Sequence, residues 1–176
     1  TFVLIAGLLQ SLLPSWELQL PATPRGEAHL VSSGTRQILL IPMGSSGLGA
    51  WTTGGTPLPG FPVSNGVGVI LRPAAFPGST GEILIAYADN DGFVHLIDLQ
   101  GNESFGWPVE NSCNVITSIT SVDMNQDGLF EISYGTSDGR IHLLDARGTE
   151  LPGWPVDLQS QLQFQPTTVS LGGGQG

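Results

Sequence analysis

Hydrophobic and polar positions alternate in short runs, which predict strands joined by tight turns. Tyr87–Asp98 holds an apolar run, the turn sequence Asp-Asn-Asp-Gly and a second apolar run. Tyr134–Asp145 repeats this pattern 47 residues later, with Ser-Asp-Gly at the turn. Asp-Gly between two apolar runs is a strong hairpin signal. A less regular copy comes first, where Ile38–Ile41 leads to Ser46-Gly47 and then to Ala50-Trp51.

A second repeated feature sets the period of the chain. Gly-aromatic-Pro-Val occurs at residues 60–63, 106–109 and 153–156, so its Gly recurs at spacings of 46 and 47. Each unit holds about four short apolar runs. In the best-preserved unit these predict strands at Val115–Val122, Glu131–Gly135 and Arg140–Asp145, with a last strand near Trp154–Val156.

The period predicts an all-β architecture. About four strands per unit and a period in the forties are typical of a β-propeller blade. We therefore predict a β-propeller fragment of about three four-stranded blades plus part of another, with a β-sandwich as the alternative. The predicted units are a degenerate blade at 21–66, a blade without a metal loop at 67–110, a blade with a metal loop at 111–157 and the start of a further blade at 158–176. A propeller closes with about 4–8 blades, so further blades or domains of a longer parent chain are expected partners.

The N-terminal run Thr1–Leu13 is about as long as the apolar region of a signal peptide and too short to span a bilayer. We predict that residues 1–20 are a signal-peptide remnant, with a buried strand or helix as the alternative. No later segment is long enough to span a membrane. Cys113 is the only cysteine, so no internal disulfide is possible, and a small buried hydrophobe is its expected role.

Composition narrows the possible functions. The 25 Gly and 13 Pro among 176 residues argue against a helical bundle, and a hydrophobic content of 40% argues against disorder. Acids outnumber bases 15 to 5, which argues against nucleic acid as a partner, because binding to phosphates depends on Lys and Arg. Thirteen of the 15 acids lie between Glu82 and Asp157, within the two best-preserved units.

Residues 123–131 read D-x-N-x-D-G-x-x-E, a pattern of oxygen ligands. Side chains at positions 1, 3 and 5 converge, Gly at position 6 permits a sharp turn, and position 7 offers a carbonyl. The predicted Ca²⁺ ligands are Asp123, Asn125, Asp127, the Leu129 carbonyl and Glu131. An EF-hand is disfavoured, because no Glu stands at position 12 and the flanks are strand-like. The alternative is a solvated turn whose Asp and Asn side chains bond their own backbone.

The order of these features resembles the FG-GAP or VCBS-type repeat, the blade of integrin-α-like propellers. It runs strand, D-x-N-x-D-G-x-x-E, strand, Ser-Asp-Gly, a strand with Leu-Leu-Asp, then Leu-Pro-Gly-Trp-Pro-Val. The resemblance is strongest over 115–156, good over 67–110 and weak over 28–63. It implies a Ca²⁺ ion in the loop between the first two strands of a blade, where the five residues at 123–131 match.

The other units depart from this pattern. The equivalent stretch at 72–81 contains no acid, and glycines at 172–176 fall where the next loop should begin. We therefore predict one Ca²⁺ site. Asp89–Gly92 also looks like a metal loop, but it aligns with the Ser-Asp-Gly hairpin and is predicted to be a turn.

Several residues repeat at equivalent positions, which favours structural roles. His95 and His142 are expected to be structural, because a catalytic residue need occur only once. Asp98 and Asp145 are expected to serve a strand end or turn. The aromatic residues at the Gly-aromatic-Pro sites are expected to pack between neighbouring blades; these are Phe61, Trp107 and Trp154.

These observations predict two alternative functions of different classes. The first is a non-catalytic, calcium-binding propeller of a secreted, periplasmic or cell-surface protein. It serves adhesion or binds a protein or glycan, and its ion rigidifies one blade. The alternative is a quinoprotein-like or hydrolase-associated propeller domain of a larger enzyme, because Ile97-Asp98-x-x-Gly101 and Leu144-Asp145-x-x-Gly148 resemble quinoprotein blades. No nucleophile–base pattern stands out, so a non-enzymatic role is predicted.

Overall fold

The computed structural model describes residues 3–5, 17–33, 36–160 and 162. Within these ranges the chain forms thirteen strands and no helix, so the predicted all-β class is confirmed. The strands are β1 Val3–Ile5, β2 Glu17–Gln19, β3 His29–Ser33, β4 Arg36–Pro42, β5 Leu48–Thr52, β6 Ala74–Pro77, β7 Ile83–Ala88, β8 Phe93–Ile97, β9 Val109–Glu110, β10 Thr120–Val122, β11 Glu131–Gly135, β12 Arg140–Leu144 and β13 Val156–Asp157.

The strands form antiparallel meanders in chain order. The first sheet contains β3–β5, the second sheet β6–β9 and the third sheet β10–β13, while β1 and β2 pair with each other. Four strands per unit are thus observed in the second and third sheets. The first sheet has three strands, and isolated bridges from Leu48 to Val63 and from Trp51 to Pro57 lie where a fourth would run.

The second sheet is buried on both faces, because its neighbours pack against it from either side. Ile83, Ile85 and Tyr87 belong to the apolar cluster shared with the first sheet. Ala86 and Ala88 belong to the cluster shared with the third sheet. Successive strand residues point to opposite faces, so one strand, β7, supplies both clusters.

The pair β1–β2 lies beside the first sheet. Leu18 and Leu20 are buried in a cluster with Leu39, Ile41 and Trp51. The predicted signal-peptide remnant at 1–20 overlaps this pair, and residues 1–2 and 6–16 of it lie outside the described residues. Its cleavage stays a prediction. The predicted further blade at 158–176 also lies outside them, apart from 158–160 and 162.

The first strand of the third sheet is shorter than predicted. The sequence predicted Val115–Val122, but β10 begins at Thr120. Before it, the Thr117 hydroxyl accepts a hydrogen bond from the Gly135 amide at 2.8 Å, and the Ile119 amide donates to the Arg72 carbonyl at 3.1 Å. These bonds interrupt the ladder, which resumes earlier in the chain where the Ile116 amide donates to the Gly135 carbonyl at 2.9 Å and Val115 bridges Thr136. β11 has its predicted bounds, β12 ends one residue earlier, and β13 overlaps the predicted last strand.

Two outer turns follow the third strand of their sheets, at Asp98–Gly101 and Asp145–Gly148. Asp98 Oδ1 accepts hydrogen bonds from the amides of Gln100 at 2.8 Å and Asn102 at 2.9 Å. Asp145 Oδ1 does the same for the amides two and four residues later, at 2.8 and 2.9 Å. The predicted turn role of both aspartates is confirmed.

Three aromatic–proline segments, Gly60–Val63, Gly106–Val109 and Gly153–Val156, each contain a cis peptide bond before proline. Trp107 is 7% exposed, and its indole N–H donates to the Ala146 carbonyl at 3.0 Å. Ala146 belongs to the outer turn of the next sheet. The prediction that this aromatic residue packs between neighbouring units is therefore confirmed for Trp107.

Candidate metal centre

The predicted metal loop joins β10 to β11. Val122 and Glu131 pair across the two strands, so Asp123 leaves the sheet directly opposite the point where Glu131 enters it. The loop curls between these two acids. Gln126 and Gly128 adopt positive φ angles of 60° and 86°, which turn the chain back sharply enough to close it.

The first two predicted side-chain ligands point at the same amide of the loop. Asp123 Oδ1 accepts a hydrogen bond from the Asp127 amide at 3.1 Å, and Asn125 Oδ1 accepts from that same amide at 3.0 Å. Asp123 Oδ2 accepts from the Gly128 amide at 3.0 Å. Asp123 is half-buried and Asn125 is exposed, and both side chains bond the backbone of their own loop, as the solvated-turn alternative predicts.

Asp127 completes this arrangement. Its Oδ1 accepts a hydrogen bond from the Leu129 amide at 2.7 Å, and its Oδ2 accepts from the Asn125 side-chain amide at 2.9 Å. Among the described residues, however, no group of three or more His, Cys, Asp or Glu side chains lies close enough to hold a metal ion. The carboxylates of the loop serve its own donors in this structure.

Glu131 differs from the other predicted ligands because it is buried. Only 4% of the residue is exposed, and its Oε2 accepts a hydrogen bond from the Met124 amide at 2.8 Å. The donor set, three carboxylates with an amide oxygen and a carbonyl, consists of oxygens alone and fits a hard cation such as Ca²⁺.

The equivalent loop of the second sheet is a tight turn between β6 and β7. The Gly78 amide donates to the Glu82 carbonyl at 2.7 Å, and the Gly81 amide donates to the Gly78 carbonyl at 3.0 Å. Glu82 Oε2 accepts from the Thr80 amide at 2.9 Å. This turn has no room for the five-position ligand pattern, so the two loops differ in kind.

A second polar cluster lies inside the second sheet, around His95. Its Nε2 lies 3.2 Å from Asp89 Oδ2, and its Nδ1 lies 3.3 Å from the Glu103 carboxylate. The Tyr87 ring stacks on the imidazole, with centroids 4.5 Å apart. Asp89 also accepts a hydrogen bond from the Asn65 side chain at 3.0 Å. This cluster therefore ties the second sheet to the connection that precedes it.

Charge pairing decides the protonation of this cluster. Burial alone lowers the pKa of His95, but hydrogen bonds with Glu103 and Asp89 outweigh burial and raise it. Burial raises the pKa of Asp89, yet hydrogen bonds from Asn65, His95 and two backbone amides bring it below its usual value. Both shifts favour an imidazolium between two carboxylates.

The third sheet repeats this cluster with one change. His142 Nδ1 pairs with Glu150, and the Tyr134 ring stacks on the imidazole at 4.9 Å. Its Nε2, however, faces the Thr136 hydroxyl at 3.2 Å, where the second sheet has an aspartate. The predicted structural role of both histidines agrees with this burial within the sheets.

The Glu partners of the two histidines were missed at the sequence level. Glu103 and Glu150 are 47 residues apart, like the histidines and the tyrosines. The repeat period could therefore have identified them as a further equivalent pair. Their contacts arise after the outer turn, where bridges from Ile97 to Glu103 and from Leu144 to Glu150 bring each Glu back beside its histidine.

Known proteins share the fold of this chain without a detectable sequence family. No protein-family model matches it, and no curated protein matches it. Among solved structures, BBS1N, crystallised in complex with ARL6DN, superposes on it with a TM-score of 0.58 at 12% identity. BBS1N is a β-propeller. The chain has a β-propeller-like fold.

The similarity covers 84% of this chain and 45% of BBS1N, so the chain spans less than half the length of that neighbour. At this identity the similarity concerns the fold alone. In the described part of the chain, no helix has the length and apolar character needed to cross a bilayer.

Proposed function

We propose that this chain is a non-catalytic propeller segment of FG-GAP or VCBS type, stabilised by Ca²⁺, that binds a protein or glycan outside the cell or at its surface. The observation that carries the proposal is the loop at 123–131, whose three oxygen-bearing side chains all bond amides of the same loop, which ends at the buried residue Glu131.

The ligands in this proposal are the side chains of Asp123, Asn125, Asp127 and Glu131 together with the Leu129 carbonyl. A divalent cation would neutralise carboxylates that otherwise repel each other at close range. It would also join the end of β10 to the start of β11, because Asp123 and Glu131 belong to these two strands. The ion is therefore assigned a stabilising role, and ligand recognition does not require contact with it.

The expected affinity supports a location outside the cytoplasm. The loop is largely exposed, with Asn125 and Asp127 at the surface, and extracellular calcium modules bind with dissociation constants of about 10⁻⁴–10⁻³ M. Such a site fills only where Ca²⁺ is abundant. The proposed location is therefore secreted, periplasmic or at the cell surface, where a site of this class would be filled.

Recognition of a macromolecule is supported by the fold and by one edge of the molecule. BBS1N was crystallised in complex with a second protein. In this chain Ile70 and Ile116 occupy equivalent positions and are 45% and 40% exposed. Each follows a segment bonded to a hairpin turn, through Asn90 to Gly68 and through Ser137 to Asn114. These turns and apolar side chains form the proposed binding edge.

The quinoprotein-like alternative rested on the Asp-x-x-Gly pattern of the outer turns. Here the turn at Asp145–Gly148 receives the Trp107 indole, which gives the pattern a packing role. An enzyme-associated role therefore stays a prediction without a supporting observation.

Calcium-dependent melting tests the proposal. At about 5 mM free Ca²⁺, a site with the affinity given above stabilises the fold by about 1–2 kcal/mol, which raises Tm by roughly 3–8 °C for a chain of this size. EDTA should reverse the rise. Glu131→Gln should abolish both the rise and the calorimetric signal of Ca²⁺ binding.

Glu82→Gln is the control for the loss of an acid beside a loop, because Glu82 directly precedes β7, the equivalent strand of the second sheet, and lies outside the predicted ligand set. It should leave the calcium response intact. A melting temperature insensitive to Ca²⁺ and EDTA, with no heat of binding, would refute the site.

A further inference from the structure

Each aromatic–proline segment begins in a tight turn with the same backbone. The amides of Phe61, Trp107 and Trp154 donate to the carbonyls three residues earlier, at 3.2, 3.1 and 3.0 Å. The glycine before each of these aromatic residues has a positive φ angle, at 83°, 92° and 89°. This combination fits a type II turn, whose second position favours proline because the proline ring fixes the required φ.

The second sheet departs from proline at this position. Pro59 and Pro152 occupy it in the first and third sheets, and Phe105 occupies it in the second. Phe105 is 94% exposed, so its ring gains almost nothing from burial, and the turn loses the fixed φ that proline supplies. A residue that breaks a local rule without a stabilising contact points to a function.

The backbone that carries Phe105 is held on both sides, which distinguishes this residue from an ordinary exposed apolar side chain. Before it, the Ser104 amide donates to the Leu96 carbonyl of β8 at 2.8 Å. After it, Trp107 is buried and its indole donates to the Ala146 carbonyl. The turn therefore presents the ring in a fixed place, and a partner that binds the ring would order little backbone.

The place of a neighbouring blade at this turn is already filled. A methyl group added at Gly106 would lie 2.3 Å from the Arg147 carbonyl oxygen, so the outer turn of the third sheet closes this side of the segment. The second and third sheets both lie within the described residues 36–160, and Phe105 stays exposed beside them. The molecule that covers Phe105 is therefore something other than the next blade.

Charge around the turn indicates what kind of molecule binds there. The second sheet, residues 74–110, contains six acids and no Lys or Arg, and its His95 is enclosed between two of those acids. The adjoining outer turn adds Arg147, which stands between Asp145 and Glu150 in the chain. An acidic border attracts Lys and Arg, and a projecting aromatic ring fits an apolar pocket of a partner.

We propose that Phe105 anchors a protein-docking site on the outer edge of the second sheet, and that the partner is a protein with an apolar pocket bordered by Lys and Arg. The site is separate from the binding edge at Ile70 and Ile116, because Ser104 bonds the end of β8 whereas the hairpin turn of that edge precedes β8. It also does not involve the calcium loop. It is therefore a second interaction surface, beyond the function proposed above.

Phe105→Pro is the decisive variant, because it restores the residue that the other two turns carry. The same backbone accommodates Pro59 and Pro152, so the variant should fold, and its Tm should rise by about 1–4 °C. The probe is a phage library of random disulfide-cyclised peptides, selected on the full chain and counter-selected on Phe105→Pro. We expect selected peptides that combine Lys or Arg with bulky apolar residues.

Isothermal titration calorimetry then measures the synthesised peptides. Phe105→Pro and Phe105→Ser should each weaken binding at least about thirtyfold, the effect of losing a hot-spot residue; the serine variant tests the ring without placing proline in the turn. Ile70→Ser is the control, because it removes an exposed apolar side chain of the binding edge, and it should leave the affinity unchanged. Added salt should weaken binding, because it screens the attraction between the acidic border and a basic peptide.

Several outcomes would overturn the proposal. A selection that yields no peptide dependent on Phe105 would remove the site, and dependent peptides without an excess of Lys and Arg would contradict the partner's charge. A Tm lowered in both Phe105→Pro and Phe105→Ser would give the ring a role in folding instead. A wild-type dimer in sedimentation that Phe105→Pro dissociates would make the occupant a second copy of this chain. Binding of cellohexaose or chitohexaose that Phe105→Ser abolishes would make it a glycan.

Discussion

The second and third sheets share one framework and differ in where they place charge. In each, a tyrosine stacks on a histidine whose Nδ1 faces a glutamate. The second sheet adds Asp89 on the other side of its histidine and has a tight turn between its first two strands. The third sheet has Thr136 in that place and an oxygen-rich loop between its first two strands.

The two sheets therefore share some features of the repeat and differ in others. The outer turns, the histidine–glutamate pairs and the backbone of the hairpin turns are alike in both sheets, while the first residue of the hairpin turn (Asp89 or Thr136) and the loop between the first two strands differ. We therefore expect the second sheet to respond to pH and the third to respond to Ca²⁺. The variants below test the features that the two sheets share and the features in which they differ.

The largest expected effect concerns the two tryptophans of the aromatic–proline segments. Trp107→Ala should cost about 3–5 kcal/mol of unfolding free energy, because it removes a buried ring between two sheets. Trp154→Ala should cost less than about 1 kcal/mol, since its ring is only half-buried and makes no equivalent contact in the described residues. Urea unfolding of the two variants measures the difference, and equal losses would show that the two segments are packed alike.

A smaller effect is expected for the two histidines. His95→Gln should cost about 3 kcal/mol, because it leaves the buried Asp89 carboxylate without its ionic partner. His142→Gln should cost about 1 kcal/mol, the usual value of a hydrogen bond, since its partners are a hydroxyl and a partly exposed glutamate. Denaturant unfolding at pH 6 tests this order, and a larger loss for His142→Gln would reverse the comparison.

The pH dependence follows from the same cluster. Because pairing raises the pKa of His95 above its ordinary 6.5, its stabilisation is complete below pH 6.5 and is lost as pH rises through the folded-state pKa. Because hydrogen bonds lower the pKa of Asp89 below its ordinary 3.8, its contribution is present above pH 3.8 and is lost as pH falls through the folded-state pKa. Stability from this cluster is therefore greatest between these two values.

His29 serves as a control, because its contribution to stability should depend on pH in the opposite direction. Burial and the charge of Arg72 lower the pKa of His29, so its contribution is lost as pH falls. Between pH 5 and pH 8.5, His95 should make the unfolding free energy decrease as pH rises. This decrease should be absent in His95→Gln and present in His29→Gln. A wild-type profile that rises throughout this range, unchanged by His95→Gln, would contradict the assignment.

The smallest effect should also be the most uniform. Asp98→Ala and Asp145→Ala each remove two hydrogen bonds to exposed turn amides, and Asp98→Ala also removes an exposed one from the Asn102 side chain, so each should cost about 1 kcal/mol. Thermal melting of both variants measures this cost. Unequal costs would show that the outer turns are not equivalent and would weaken the shared framework on which the comparison rests.

Sequence spacing predicted the features that depend on local geometry. The loop at 123–131 curls as its Asp, Asn and Gly positions require, and Asp98 and Asp145 cap their turns. The 46–47-residue period also predicted the packing of Trp107, because repeated aromatic positions in stacked units meet the same neighbour. These features could be predicted because they depend on short spacings or on the repeat itself.

Features that depend on contacts between distant strands were not predictable in the same way. Glu103 reaches His95 only because the chain returns beside β8 after its outer turn. The ladder before β10 is interrupted where the Ile119 amide donates to the Arg72 carbonyl of the preceding unit. Neither contact follows from the hydrophobic pattern of one segment.

The contact between an aromatic–proline segment and the next outer turn has a consequence for how this chain gains and loses structure. Each unit is joined through this contact only to the unit that follows it, so the free energy of the array approximates a sum of unit terms and nearest-neighbour terms. Under tension applied to its ends, such an array opens one unit at a time. Duplication or deletion of one full 46–47-residue period would bring together the same two surfaces, so this contact would be kept when the number of units changes.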